Sequence, residues 1–136
     1  MNTTDFHKAK AEHKKLSMVT CYDASFARLI DQTDIDLILI GDSASMVIHG
    51  ESTTIPATIE WMAEHTRSVR NGTEKYIVSD MPFLSTRKGL EHAVDCAGRL
   101  LVAGANCVKI EGVFGQEEII RHLVLSGILV MSHLGL

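Results

Sequence analysis

The chain has 136 residues, of which 46% are hydrophobic and 22% charged, and its formal net charge is -4 at pH 7. This length suits one domain with a buried core, and the acidic balance with only 5% aromatic residues argues against nucleic-acid binding. No apolar run approaches the roughly 18 residues of a membrane span, and the first residues lack a signal-peptide core, so we expect a cytoplasmic protein without a membrane partner.

Predicted helices and strands alternate along the chain. In order they are a polar leading helix or arm over residues 2–15, a strand over 16–22, a helix over 24–32 with Asp23 as its N-cap, a strand over 37–40, a loop over 46–56, a helix over 59–70, a strand over 76–80, a helix over 87–103, a strand over 106–110, a helix over 116–126 and a strand over 128–132. This alternation predicts right-handed βαβ units and a parallel sheet. A complete (β/α)8 barrel needs roughly 250 residues, so we interpret residues 1–136 as one partial barrel domain with a short N-terminal arm, truncated to about five strands.

Ionisable side chains stand at the C-terminal ends of these strands. The run Leu37-Ile-Leu-Ile-Gly-Asp-Ser43 is typical of a strand buried on both faces, and it delivers Asp42 and Ser43 where it stops. Two later strands end at Asp80 and at Glu111 in the same way. Because parallel α/β folds bind their ligands at this edge, we expect the three acids to meet at one site.

Three carboxylates that meet would repel one another unless a cation or protons intervene. Magnesium takes oxygen ligands and keeps positions open for substrate, and manganese accepts the same ligands. Lys109 has the same strand parity as Glu111, so both side chains point to one face. A lysine beside a metal suits an anionic 2-oxo acid, to which Ser43 can donate a further hydrogen bond.

Each of these residues also has a plainer interpretation. Asp42 and Asp80 are typical helix or turn caps, Lys109 and Glu111 can form a simple salt bridge, and His133 alone is most often structural.

The cysteines and the other histidines do not suggest a further site. The three cysteines form no C-x-x-C pair, so we expect them to be reduced and buried. The histidines lack zinc-binding spacing, and we expect surface or capping roles for His65, His92 and His122.

Six motifs extend over nearly the whole chain: Thr20-Cys-Tyr-Asp-Ala-Ser-Phe26, Ile40-Gly-Asp-Ser43, Thr54-Ile-Pro-Ala-Thr58, Ser79-Asp-Met-Pro-Phe83, Gly104-Ala-Asn-Cys-Val-Lys-Ile-Glu-Gly112 and His133-Leu-Gly-Leu136. In these motifs the chain resembles the N-terminal half of the ketopantoate hydroxymethyltransferase family. The resemblance implies a (β/α)8 barrel of the phosphoenolpyruvate mutase and isocitrate lyase type, usually assembled as a homodecamer. It also implies transfer of a hydroxymethyl group from 5,10-methylenetetrahydrofolate to 3-methyl-2-oxobutanoate through a magnesium-stabilised enolate, giving 2-dehydropantoate for pantothenate biosynthesis.

The resemblance further implies a role for each matching position. The family's magnesium ligands correspond to Asp42, Asp80 and Glu111. Its 2-oxo-acid-binding positions correspond to Asp42, Ser43, Asp80, Lys109 and His133.

The chain departs from the family pattern in two places. Ser132 stands where the family usually has glycine, and the family's general base, a glutamate on a later strand, lies beyond residue 136. The resemblance therefore assigns no catalytic base within the chain. The alternatives are an inactive truncated fragment, a half-barrel that folds by pairing with another chain, and a module that binds magnesium and a 2-oxo acid without turnover.

Overall fold

The computed structural model of the chain describes residues 1–134, so Gly135 and Leu136 of the last motif lie outside the described residues. Its elements are α1 (Thr3–Ala11), β1 (Met18–Thr20), α2 (Ala24–Asp31), β2 (Leu37–Ile40), α3 (Ala44–Val47), α4 (Ile59–Arg70), β3 (Tyr76–Asp80), α5 (Leu90–Ala103), β4 (Cys107–Glu111), α6 (Glu117–Leu125) and β5 (Val130–His133). The predicted alternation of strands and helices is confirmed.

The five strands form one parallel sheet in the order β1-β2-β3-β4-β5. The register pairs Asp80 with Lys109 and Glu111 with His133, so the ionisable residues of neighbouring strands end at the same level. Because adjacent parallel strands follow one another in sequence, every connection crosses over in the manner of a βαβ unit. This topology is an arc of a (β/α) barrel.

Side chains on the two faces of the sheet enter two separate apolar clusters. The larger cluster lies between the sheet and the helices, and its fully buried members include Ile38, Ile77 and Val108. The smaller cluster lies on the opposite face around Leu37, Tyr76, Val78 and Cys107. From α1, Phe6 packs edge-on against Tyr76 with ring centroids 5.0 Å apart, so the leading helix covers the amino-terminal ends of the strands.

Local capping explains where several helices begin and end. The Asp23 side chain accepts hydrogen bonds from the backbone N–H groups of Ser25 and Phe26, so the predicted N-cap is confirmed. Gly104 ends α5 in the left-handed conformation with a φ of 115°.

Several predicted boundaries are wrong, and β1 and β5 each begin two residues later than predicted, at Met18 and Val130. The loop predicted over 46–56 begins later, because Met46 and Val47 belong to the short helix α3, whereas residues 48–56 contain neither helix nor strand, as predicted. The helix predicted from residue 87 begins at Leu90, because Gly89 has a φ of 101° and interrupts helical geometry.

The predictions for the cysteines are confirmed, whereas one of those for the histidines is not. Cys21, Cys96 and Cys107 are free and buried, and burial raises the pKa of the Cys107 thiol to about 11. His65 is half-buried and is not a cap, because its Nδ1 lies 2.9 Å from the carbonyl oxygen of Tyr22 in the loop between β1 and α2. No helix within residues 1–134 has the length and apolar character required to cross a membrane.

A glycine at the end of α4 is required by close packing against α2. A Cβ added at Gly72 would lie 2.5 Å from the carbonyl oxygen of Ala24 and 2.7 Å from the Cβ of Ala27. We expect Gly72→Ala to destabilise the protein by about 1–3 kcal/mol, because the backbone of α2 must move to admit the methyl group. Urea denaturation measures this change.

Gly98, within α5, offers the matched control, because a Cβ added there would meet nothing within 4 Å. Gly98→Ala should stabilise the protein by about 0.5–1 kcal/mol through the higher helix propensity of alanine. Equal effects of the two substitutions would contradict this account of Gly72.

Candidate functional site

A line of hydrogen-bonded ionisable side chains crosses the carboxyl-terminal edge of the sheet from β3 to β5. The Lys109 ammonium donates to Asp80 Oδ1 at 2.9 Å and to Glu111 Oε1 at 2.7 Å. His133 Nδ1 lies 2.6 Å from Glu111 Oε2 and donates to it, since a carboxylate only accepts. Strand register produces this line, because each partner lies beside the next on adjoining strands or two residues along one strand.

Asp42 and Ser43 approach the same edge from the end of β2. The backbone N–H of Asp42 donates to Asp80 Oδ2 at 3.2 Å, and the Ser43 hydroxyl lies 2.8 Å from the Tyr22 hydroxyl. A Cβ added at Gly41 would lie 2.8 Å from Ser43 Oγ. The glycine that ends the strand therefore permits this close approach.

The carboxyl groups of the site differ in their electrostatic environment. The Asp80 side chain is only 6% exposed, and burial raises its pKa although Lys109 opposes the shift. Burial also raises the pKa of Asp42, against hydrogen bonding from Thr54 and the charge of Lys109. The pKa of Glu111 is lowered, because hydrogen bonds from Lys109 and His133 outweigh its partial burial.

Lys109 carries the positive charge at the centre of the site. Burial would lower its pKa, but the hydrogen bonds and charges of Glu111 and Asp80 outweigh this effect and raise it. Lys109 is therefore an ammonium group at neutral pH, and two of its three N–H donors are engaged by carboxylates.

The fit of these acids to a divalent cation rests on Asp42 and Asp80. Both are desolvated and have raised pKa values, and both supply the oxygen donors that magnesium prefers. Across residues 1–134, however, no group of three histidine, cysteine, aspartate or glutamate side chains converges as a preformed metal site. Glu111 is held by Lys109 and His133, so it must give up part of this ion-pair network to become a third ligand.

The structure thus places all the candidate site residues predicted from the sequence at one edge of the sheet, and their individual roles remain predictions. They are Asp42, Ser43, Asp80, Lys109, Glu111 and His133.

A cavity of about 360 Å³ lies beside the acids. It is lined by Asp42, Thr54, Met81, Pro82, Phe83, Leu84, Thr86, Arg87, Ile110, Glu111 and Gln116.

Tyr22 and Gln116 support the site but were not singled out in the sequence. Gln116 is buried, and its Nε2 donates to the carbonyl oxygen of Glu111 at 2.7 Å while its Oε1 accepts from the Thr86 hydroxyl. Tyr22 lies within the motif over residues 20–26, and this motif is the sequence signal that could have identified it. For Gln116 the sequence offers no signal, since its partners are the last residue of β4 and Thr86 in a separate loop.

The comparisons with known proteins agree with this geometry. A sequence profile described as ketopantoate hydroxymethyltransferase matches residues 1–136. The chain belongs to the ketopantoate hydroxymethyltransferase family. Among its relatives, the 3-methyl-2-oxobutanoate hydroxymethyltransferase of Coxiella burnetii is 49% identical over 138 aligned positions, which cover 100% of this chain and 52% of the relative. The protein of the same name from Bdellovibrio bacteriovorus is 48% identical over 133 residues, covering 97% of this chain and 51% of the relative.

This ketopantoate hydroxymethyltransferase family member therefore spans about half the length of the relatives that it matches. Solved structures show its fold. A 2,3-dimethylmalate lyase, described as a PEP mutase/isocitrate lyase superfamily member, aligns with a TM-score of 0.68 at 15% identity over 95% of this chain and 50% of that one. Phosphonopyruvate hydrolase in complex with oxalate and Mg++ aligns with a TM-score of 0.65 at 13% identity over 85% of this chain and 41% of that one. The predicted barrel type is confirmed, with five strands present here.

Proposed function

We propose that residues 1–136 form the N-terminal part of a 3-methyl-2-oxobutanoate hydroxymethyltransferase, as one (β/α) barrel domain with α1 as its arm. The reaction joins 3-methyl-2-oxobutanoate, 5,10-methylenetetrahydrofolate and water to give 2-dehydropantoate and tetrahydrofolate. The observation that carries the proposal is the line Asp80, Lys109, Glu111 and His133, held within hydrogen-bond distance at one sheet edge. The names of the homologous proteins support the same reaction.

Lys109 and Ser43 are the residues that we propose bind the 2-oxo acid. The ammonium of Lys109 has one N–H that is not engaged by Asp80 or Glu111, and this donor can take an oxygen of the substrate carboxylate. When the Tyr22 hydroxyl donates to Ser43 Oγ, the Ser43 proton is available for a second substrate oxygen. Both contacts favour an anionic, oxygen-rich ligand.

Asp42 and Asp80 are the residues that we propose hold magnesium, with Glu111 as the third acid. Bound magnesium supplies positive charge that stabilises negative charge developing on the keto oxygen of the substrate. The all-oxygen donor set and the raised pKa values of Asp42 and Asp80 support this assignment. The Mg++ and oxalate in the structure of phosphonopyruvate hydrolase, which shares the fold, are consistent with it.

Proton removal from C3 of the substrate requires a base, and the family resemblance places that base beyond residue 136. His133 hydrogen-bonds to Glu111, which in turn accepts from Lys109, and we propose that His133, with Asp42 and Asp80, also contacts the 2-oxo acid. In the full-length form we further propose a homo-oligomer, a proposal supported by the exposed apolar side chains Phe26 and Leu29 on α2.

The decisive experiment follows hydrogen exchange at C3 of 3-methyl-2-oxobutanoate in deuterated water by NMR. The full-length protein with magnesium and no folate should exchange this hydrogen faster than magnesium alone, because the site polarises the keto group. Absence of exchange above the magnesium-only control would contradict the proposed reaction. If calorimetry then still detected magnesium-dependent binding of the oxo acid, the protein would be a binding module without turnover.

A further inference from the structure

Two histidines that do not belong to the sheet-edge site bring their ring nitrogens together. His49 follows α3 and His65 lies in α4, and their Nε2 atoms are 3.0 Å apart although the residues are 16 positions apart in sequence. This separation in sequence explains why no metal-binding spacing marks them. Because imidazole nitrogen is a common ligand of divalent transition metals, the pair is a candidate for metal binding.

A backbone carbonyl sets the tautomer of His65. Its Nδ1 lies 2.9 Å from the carbonyl oxygen of Tyr22, and because a carbonyl only accepts, Nδ1 carries the proton. In the neutral ring, Nε2 therefore keeps its lone pair on the side that faces His49. Histidines that bind metals usually donate their other ring N–H to a carbonyl or carboxylate, which orients the ring and raises the basicity of the ligand nitrogen. His65 thus has the supporting contact that a metal ligand requires.

Trp61 orients the other ring of the pair. The rings of His49 and Trp61 stack with centroids 3.9 Å apart and planes within 7° of parallel. His49 is exposed, so an ion can reach it from solvent, and within residues 1–134 neither histidine of the pair forms a salt bridge. When His49 carries its proton on Nε2, the contact with His65 is an N–H···N hydrogen bond. When the proton is on Nδ1, both Nε2 lone pairs are available to one ion.

The distance between the two nitrogens favours one coordination geometry. Imidazole nitrogens bind zinc at about 2.0–2.1 Å. At such a distance, two nitrogens at about a right angle lie about 2.8–3.0 Å apart, whereas at the tetrahedral angle they lie about 3.3–3.4 Å apart. The observed 3.0 Å matches the right-angled arrangement, which is typical of tetragonal copper(II) and nickel(II) sites.

We propose that His49 and His65 bind a divalent transition-metal ion of the copper(II) and nickel(II) class through both Nε2 atoms. Their nitrogen donors distinguish this site from the proposed magnesium site, because magnesium takes oxygen ligands. Within the described part of the chain, no group of three histidine, cysteine, aspartate or glutamate side chains converges, so water fills the remaining positions of the bound ion. The ion joins the chain after α3 to α4 and thereby stabilises the folded protein.

Calorimetric titration with nickel tests the proposal on the full-length protein after removal of any affinity tag. Saturating magnesium is present throughout, so that the oxygen-donor sites are occupied. His49→Gln and His65→Gln should each weaken nickel binding by at least about tenfold, because even the loss of a residue that supports a ligand typically costs 10–100-fold. Nickel should raise the melting temperature of the wild-type protein but not that of His49→Gln.

Electron paramagnetic resonance of bound copper(II) identifies the ligands directly. The wild-type spectrum should show hyperfine coupling to two imidazole nitrogens, and each single variant should show coupling to one. His7→Gln, at an exposed histidine of α1, is the matched control and should change neither the nickel affinity nor the copper spectrum.

Nickel binding that is equally tight in the variant lacking both histidines would overturn the proposal, as would the absence of binding by the wild-type protein. A wild-type copper spectrum with a single imidazole nitrogen would do the same, by showing adventitious binding to one exposed histidine. His49→Gln replaces an exposed ring, so it provides the test even if His65→Gln, which breaks the contact with Tyr22, fails to fold. None of these readouts depends on the proposed enzyme reaction.

Discussion

Replacing Lys109 with methionine should destabilise the protein by about 3–5 kcal/mol at neutral pH, because it leaves the buried Asp80 carboxylate without its cation. The Lys109 and Asp80 side chains are only 12% and 6% exposed, so solvent screens this pair weakly. The Lys109 contact with Glu111 adds less, since the Glu111 side chain is 42% exposed. Guanidinium chloride denaturation of the wild-type and variant proteins measures the loss.

The loss should depend on pH in a defined direction. In the variant the folded-state pKa of Asp80, already raised by burial, rises further without the ammonium group. The folded variant then binds a proton at Asp80 more readily than the unfolded chain does. Its loss of unfolding free energy relative to the wild-type protein is therefore largest at neutral pH and shrinks as the pH falls through the raised pKa. A deficit that grew on acidification would contradict the assignment of the loss to Asp80.

Two companion variants give this prediction its controls. Lys88→Met removes an exposed lysine and should change stability by less than about 0.5 kcal/mol. The double variant Lys109→Met with Asp80→Asn should recover most of the lost stability, because no buried charge remains. It should not recover activity, since both a proposed substrate-binding residue and a proposed metal ligand are gone.

The sequence predicted the fold and the edge at which the site lies because these follow from local pattern. Short apolar runs that end in ionisable residues marked β2, β3 and β4, and the parallel topology then required their ends to meet. The same parity argument correctly placed Lys109 beside Glu111. Both inferences use spacing along the chain and need no knowledge of distant contacts.

The features that the sequence did not predict depend on contacts between separate loops. Gln116 becomes part of the site only because Thr86 and the carbonyl of Glu111 lie beside it, and Arg87 only because two loop carbonyls orient it. The predicted helix start at residue 87 was wrong for a local reason. Gly89 has a φ of 101° and delays the helix to Leu90, and helical periodicity does not detect this backbone conformation.

Replacing Asp42 with asparagine should have a different effect from Lys109→Met, namely a large loss of function with no loss of stability. Burial and the charge of Glu111 both disfavour the Asp42 carboxylate, and burial raises its pKa despite Thr54 and Lys109. A neutral amide of the same shape avoids this cost at neutral pH, so the free energy of unfolding should stay level or rise. The proposed magnesium site loses one anionic ligand, and magnesium-dependent C3 exchange should fall by at least about 100-fold.

The two substitutions thus distinguish the proposed metal ligand Asp42, whose replacement should reduce exchange, from Lys109, whose replacement should reduce stability. Asp34→Asn, at an exposed aspartate away from the site, supplies the control and should alter neither exchange nor stability. Thermal denaturation with and without magnesium adds a readout that does not require turnover. Magnesium should raise the melting temperature of the wild-type protein and of Asp34→Asn, but not that of Asp42→Asn, because only bound metal stabilises the native state. An Asp42→Asn protein that lost stability while keeping magnesium-dependent exchange would show that Asp42 is a structural cap and not a metal ligand.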